Sequence, residues 1–211
     1  MFEEYLKHFD TVELNNSFYH LPPRERFESW KKRTPPGFLF AVKASRYITH
    51  LKRLTEPEEP LERFVQSATG LGRKLGVVLF QLPPSLAIDL ERLEAFLKLF
   101  PKRLRCTFEF RHPSWMVEET YTLLERFNSA FCIYELAGFE TPHEVTADFV
   151  YIRLHGPGGK YSGNYTKHRL RKWANEIKIW AETVKDIYVY FDNDVGGHAP
   201  KNALTLRSLL E

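Results

Sequence analysis

Charged and amide side chains recur late in the short apolar runs of this chain, in the pattern by which a sheet collects groups for acid–base chemistry. Side chains alternate faces along a strand. Read with that period, Val12 and Leu14 oppose Thr11 and Glu13. Phe40, Val42 and Ala44 oppose Ala41, Lys43 and Ser45, and Val78, Phe80 and Leu82 oppose Leu79 and Gln81. Cys106, Phe108 and Phe110 oppose Thr107, Glu109 and Arg111. Ile152 and Leu154 oppose Tyr151, Arg153 and His155, and Val189 and Phe191 oppose Tyr188, Tyr190 and Asp192. One face stays apolar while the other turns polar towards the end of each run. Glu13 and Glu109 are the candidate acid and base of a hydrolytic or glycosidase-type reaction, which needs two carboxylates in different environments. Lys43, Arg111 and Arg153 would neutralise charge, the arginines with a two-pronged grip on carboxylate or phosphate. Lys43 is also a candidate Schiff-base nucleophile if burial lowers its pKa; an ion pair with Glu13 or Glu109 is the simpler reading.

Substrate-binding candidates are Asn15, Gln81, Arg111, Arg153, His155, Gly158, Gly159, Lys160, Tyr165, Asp192 and Asn193. The stretch His155–Tyr165 is rich in glycine and leads into a helical pattern near Thr166. Glycines let backbone N–H groups approach an anion, and a helix N-terminus attracts negative charge. The loop lacks the GxxxxGK[ST] spacing of a Walker motif; a turn that merely needs positive φ is the plainer alternative. His112, His155, His198, Asp192 and Asp194 have no metal-ligand spacing, so neither a metal nor another cofactor is expected. Asp192–Asp194 before Gly196 and Gly197 can equally turn the chain into its last helix. An internal network of ion pairs competes with a ligand site at the strand ends. An apolar core would cost less than such a network, which favours the ligand site.

The elements that must hold these residues alternate. Strand-like runs are Thr11–Leu14, Leu39–Ala44, Val77–Leu82, Cys106–Phe110, Ala130–Tyr134, Phe149–His155 and Ile187–Phe191. Helical patterns fall between most of them, clearest where Leu170, Trp173, Ala174, Ile177, Trp180, Ala181 and Val184 form one stripe. Leu90–Phe100, Arg24–Arg33, Leu61–Leu71, Met116–Phe127 and Pro200–Leu210 are further expected helices. Strict alternation implies a parallel sheet, because each parallel return needs a crossover. A sheet buried on both faces would read as almost continuously apolar; the polar second face instead favours closure into a barrel, with the charged groups at the C-terminal strand ends.

The 211 residues fit one domain, residues 1–211, and 43% of them are hydrophobic, which excludes wholesale disorder. No run approaches the about 18 apolar residues of a membrane span. A first segment without signal-peptide layout and two cysteines in apolar runs make a cytoplasmic protein without disulfides the expectation. The net charge of +3 is too small to argue for nucleic acid by itself and suits an anionic ligand.

Six stretches in this order resemble one family: VELNNSFYHLPP (12–23), FAVKAS (40–45), FQLPPS (80–85), EFRHPSW (109–115), YIRLHGPGGKYSGNY (151–165) and YFDNDVGGHAPKNA (190–203). Together they are similar to the YecE-like proteins, domain of unknown function 72, over almost the whole chain. The resemblance implies a TIM-type (β/α) barrel and no established activity or catalytic residues. Members usually open with a strand and a Gly-Thr-Ser-Gly-Trp-like segment, whereas this chain starts at what reads as the first helix. The expectation is therefore a barrel lacking its first strand, through a misassigned start, a shortened barrel or a covering partner chain. The leading functional expectation is an enzyme acting on a small phosphorylated or sugar-containing substrate, its partner a small anionic or sugar-like ligand rather than a membrane. A nucleic-acid-binding or processing protein and a non-catalytic barrel acting through an interface are the alternatives; the oligomeric state is open.

Overall fold

Runs rich in Val, Ile, Phe and Tyr become strands here, and the amphipathic stripes between them become helices, because each buries its apolar face against the other. A computed structural model describes residues 2–211. The chain divides into two compact units, Met1–Leu123 and Leu124–Glu211.

The first unit runs α1 (Phe2–Tyr5), β1 (Thr11–Leu14), α2 (Asn16–Tyr19), α3 (Arg24–Lys32), β2 (Leu39–Lys43), α4 (Glu58–Ala68), β3 (Leu75–Leu82), α5 (Leu90–Leu99) and β4 (Arg105–Phe110). A π-helical turn, Tyr47–Leu51, follows β2, and a 3₁₀ turn, Thr69–Lys74, precedes β3. β1, β2, β3 and β4 pair side by side, all parallel. The apolar face of this sheet is an aromatic stack. Phe80 meets Phe96 of α5 edge-on at 4.9 Å and lies parallel to Phe108 at 5.2 Å. Phe110 stacks on Trp115 at 4.6 Å, and the Trp115 indole N–H donates to Leu86 O at 2.8 Å. Each fully buried Phe contributes roughly 1.5–3 kcal/mol.

In sequence α6 (Glu118–Arg126) leads into the second unit, which holds β5 (Ala130–Leu136), β6 (Phe139–Glu140), β7 (Phe149–Leu154), α7 (Lys167–Trp180), β8 (Asp186–Phe191) and α8 (His198–Leu210). β5, β7 and β8 are parallel, while β6 folds back antiparallel on β5. The expected stripe is the buried face of α7 as far as Ile177: Leu170, Trp173, Ala174 and Ile177 are buried, whereas Trp180 is half-buried at the helix end, and exposed Ala181 and half-buried Val184 lie beyond it.

Among the described residues the fold is α/β of TIM type, with seven parallel strands in β/α alternation where a complete barrel has eight. The expected strand bounds hold within two residues. Leu61–Leu71 is shortened at its C-terminal end, because helix α4 stops at Ala68 and Gly72, at φ +58°, breaks the following turn. The last helix begins at His198 behind Gly197, so Asp192–Asp194 do not cap it. No described helix is long and apolar enough to cross a membrane.

Candidate functional site at the strand ends

Register decides which candidate side chains share a face. Glu13 is paired with Ala41, Lys43 with Leu79 and Gln81 with Glu109. Residues two apart on a strand share a face. Glu13, Lys43, Gln81, Glu109 and, just past the strand, Arg111 therefore belong to one face of the first unit. The contacts agree. Lys43 Nζ donates to Gln81 Oε1 at 2.6 Å and sits 4.4 Å from the centre of the Phe18 ring. Glu109 has no exposure and is ion-paired with Arg111, whose Nε and Nη2 both address Glu109 Oε1. Glu13 is half-buried. Asn15 sits just after β1; its Oδ1 is buried and accepts no hydrogen bond, leaving an acceptor open there.

Sequence reasoning missed His50. It lies on the π-helical turn after β2, a rare element that recurs at functional sites and has no apolar signature. Its ring meets Phe18 edge-on at 5.0 Å, and Nδ1 lies 2.9 Å from the Thr49 hydroxyl. Burial, then the charges of Lys43 and Arg46, push its pKa down to about 4, with Glu109 pulling the other way. At neutral pH it is a neutral imidazole among cations. The one signal available was position, seven residues beyond Lys43 on the connection leaving β2.

The second unit holds the remaining candidates. Arg153 pairs in register with Tyr190, and Asp192 follows two residues on. Arg153 Nη2 lies 2.9 Å from Asp192 Oδ2, and Arg153 Nη1 lies 3.3 Å from His155 Nε2. A guanidinium only donates, so Nε2 accepts and the ring proton sits on Nδ1, 3.2 Å from Asp192 Oδ2. Arg153 and His155 are both buried. The glycine loop is anchored beside them. Gly156 N donates to the Tyr165 hydroxyl at 3.1 Å, and Asn193 Nδ2 donates to Gly163 O and Asn202 Oδ1, each at 2.8 Å. Asn193 Oδ1 is a second buried acceptor without a donor. Gly158, Gly159 and Lys160 form the loop's tip, where Lys160 Nζ is 5.5 Å from the Tyr161 ring centre. The expected helix start holds, since the Thr166 side chain accepts from Arg169 N.

A cavity of about 550 Å³ opens on the second unit against the glycine loop, lined by Glu140, Gly158, Asn164, Arg169, Trp173 and Glu176 among others. Gly158 alone of the candidate residues reaches it. Several of its charged groups are paired: Arg169 bridges Glu135 and Glu140, and His143 stands between Glu140 and Glu176. Burial raises the Glu135 carboxyl, against the pull of Arg169. Among the described residues no three His, Cys, Asp or Glu side chains are arranged to hold a metal ion.

Residues 1–211 match the family described as "Protein of unknown function DUF72". The chain is 29% identical to the UPF0759 protein YunF of Bacillus subtilis (strain 168), over 99% of this chain and 86% of YunF. It is 32% identical to the UPF0759 protein YecE of Escherichia coli (strain K12), over 57% of this chain and 46% of YecE. Among solved structures, a DUF72 family protein of Thermotoga maritima MSB8 is similar with a TM-score of 0.84 and 30% identity, over 96% of this chain and 85% of that one. A DUF72 family protein of Enterococcus faecalis V583 shares the fold with a TM-score of 0.89 at 22% identity, over 100% and 88%. The strand-end motifs, the alternating α/β fold and the match over residues 1–211 make this chain a member of the DUF72 family, the YecE-like proteins.

Proposed function

We propose that this DUF72 protein is an enzyme doing hydrolytic or acid–base chemistry on a small phosphorylated or sugar-containing substrate at the C-terminal ends of β1–β4. The observation that carries this reading is Glu109, a carboxylate without exposure that is held by Arg111 at the end of β4. A buried charge pair is a costly way to fill a core, and barrel enzymes place their chemistry at this end of their strands. Arg111 favours the ionised carboxylate, so Glu109 is the base and Glu13 its acid partner. Lys43 serves as a fixed positive charge in preference to a Schiff-base nucleophile, since it already donates to Gln81. The open acceptor of Asn15 suits a substrate hydroxyl. On the second unit, Arg153, His155, Asp192 and Asn193, with Gly158, Gly159, Lys160 and Tyr165, are the anion-holding candidates. This chemistry calls for no cofactor. Both cysteines are buried and unbridged, which fits a reducing, cytoplasmic setting.

Thermal-shift measurements with inorganic phosphate, glucose 6-phosphate, glycerol 3-phosphate and AMP test the proposal. At least one compound should stabilise the protein, by about 2.7 kcal/mol at a hundred times its Kd. Arg111→Ala should weaken that response, and Glu109→Gln should abolish turnover of the responding compound. No response to any of them, combined with a severely destabilised Arg111→Ala, would overturn the proposal in favour of a structural ion pair. One observation favours a second reading, nucleic-acid binding: Tyr19 is 65% and Tyr47 44% exposed, with exposed Arg46 beside the latter. That reading requires steep loss of binding as salt rises.

A further inference from the structure

His50 is half-buried and has one ring nitrogen engaged. The Thr49 hydroxyl carries a single proton, and Thr49 Oγ1 also lies 3.3 Å from Ser45 O, to which it can donate. The hydroxyl oxygen then accepts from Nδ1–H, which leaves the lone pair on Nε2. Nε2 makes no hydrogen bond among the described residues. The charged groups that act on the ring are Lys43 on β2, Arg46 just after it and Glu109 on β4, while Phe18 of α2 packs against its edge. Two cations and one carboxylate leave this corner net positive when the imidazole is neutral. An incoming oxyanion changes that balance. It offsets Lys43 and Arg46, whose charge opposes protonation of the ring, and it offers an acceptor to an Nε2–H.

We propose that His50 is a ligand-contacting residue of the strand-end site and that it takes one proton from solvent when an oxyanion docks beside Lys43 and Arg46. The inference rests on the strand-end site proposed above and adds to it the atom that meets the anion, together with a proton linkage. The sign follows from the unliganded state. Burial and the two cations hold the unliganded ring's pKa near 4, so it is neutral above that value. The anion raises the pKa, so binding is strongest at acid pH and weakens as pH rises through the liganded value.

Sulfate is the appropriate probe, because it does not itself titrate between pH 5 and 8. Its affinity for the full chain, measured by calorimetry across that range, should fall with rising pH, by up to about tenfold per unit for one linked proton. His50→Gln keeps an amide N–H at the position of Nε2 and cannot titrate, so it should bind sulfate with no dependence on pH. Ring NMR of His50, assigned through that variant, should show the midpoint rising on saturation with sulfate. Binding that is independent of pH in the unaltered protein, or equally dependent on it in His50→Gln, would overturn the proposal while leaving the site itself standing. Failure to bind sulfate even at pH 5, with Arg111→Ala and the unaltered protein indistinguishable, would remove both.

Discussion

Glu109 lies on β4 and Arg111 just past its end, so one stretch of chain supplies both charges and no second element need move to join them. Removing one partner of a buried pair leaves the other unsatisfied, which typically costs about 3–5 kcal/mol. Arg111 keeps 10% side-chain exposure, so the lower figure applies. Glu109→Ala should lower stability by about 3 kcal/mol in urea titrations. Glu56→Ala, which breaks the exposed pair with Lys52, should leave the midpoint unchanged. Equal effects of the two substitutions would mean that the Glu109 pair is no better shielded than a surface pair. This pair was legible in the sequence because strand alternation alone puts residues 109 and 111 on one face. His50 was not, because a histidine on a turn has no periodicity to betray which way it faces.

Period-2 patterning located β1 to the residue and placed the other strands closely, since a run of Val, Ile and Phe is buried whether its sheet is open or closed. The short elements escaped that pattern. β6 is two residues long, and its hairpin turns at Ala137 and Gly138, both with positive φ (52° and 84°), where an Asn-Gly pair would have announced the turn. The glycine loop was legible as a loop but not as an anchored one, because its ties are asparagines distant in sequence: Asn193 and Asn202. Glycine is required in it for space as well as for φ. At Gly156, φ is +111°, and an added Cβ would lie 2.1 Å from Ser162 O. At Gly138, φ is +84°, but no heavy atom lies within 4 Å of that position. Gly138→Ala should therefore cost only the backbone penalty, about 1 kcal/mol. Gly156→Ala should cost more, of the order of 2–3 kcal/mol, since the chain must also move. Thermal melts of both variants compare the two, and amide NMR should show Gly158–Gly163 displaced in the Gly156 variant alone. A silent Gly156→Ala would mean that the loop adapts freely, and its tip would then be a poor platform for an anion.

At the scale of the whole chain, composition and element order set the class before any residue is assigned a role. Seven parallel strands with helices between them need no covalent crosslink, because each unit buries its own apolar core. The two cysteines belong to those cores rather than to any framework. Cys106 lies on β4 in the first unit and Cys132 on β5 in the second; both are buried, at 3% and 0% exposure, and both are reduced thiols. A buried thiol in apolar surroundings stays protonated and out of reach, and it is the exposed thiolate that reacts. A disulfide-exchange reagent such as Ellman's should therefore find almost no reactive thiol in the native protein and two after denaturation in guanidinium. Reducing agent should not alter the melting temperature. Rapid labelling of one thiol without denaturant would show that its unit opens locally far more often than its packing implies, and the slower thiol would then identify the more stable unit. If both label at one slow rate that tracks global unfolding, the two units unfold together, and stability changes measured for strand-end variants such as Glu109→Ala can be read as two-state values for the whole chain.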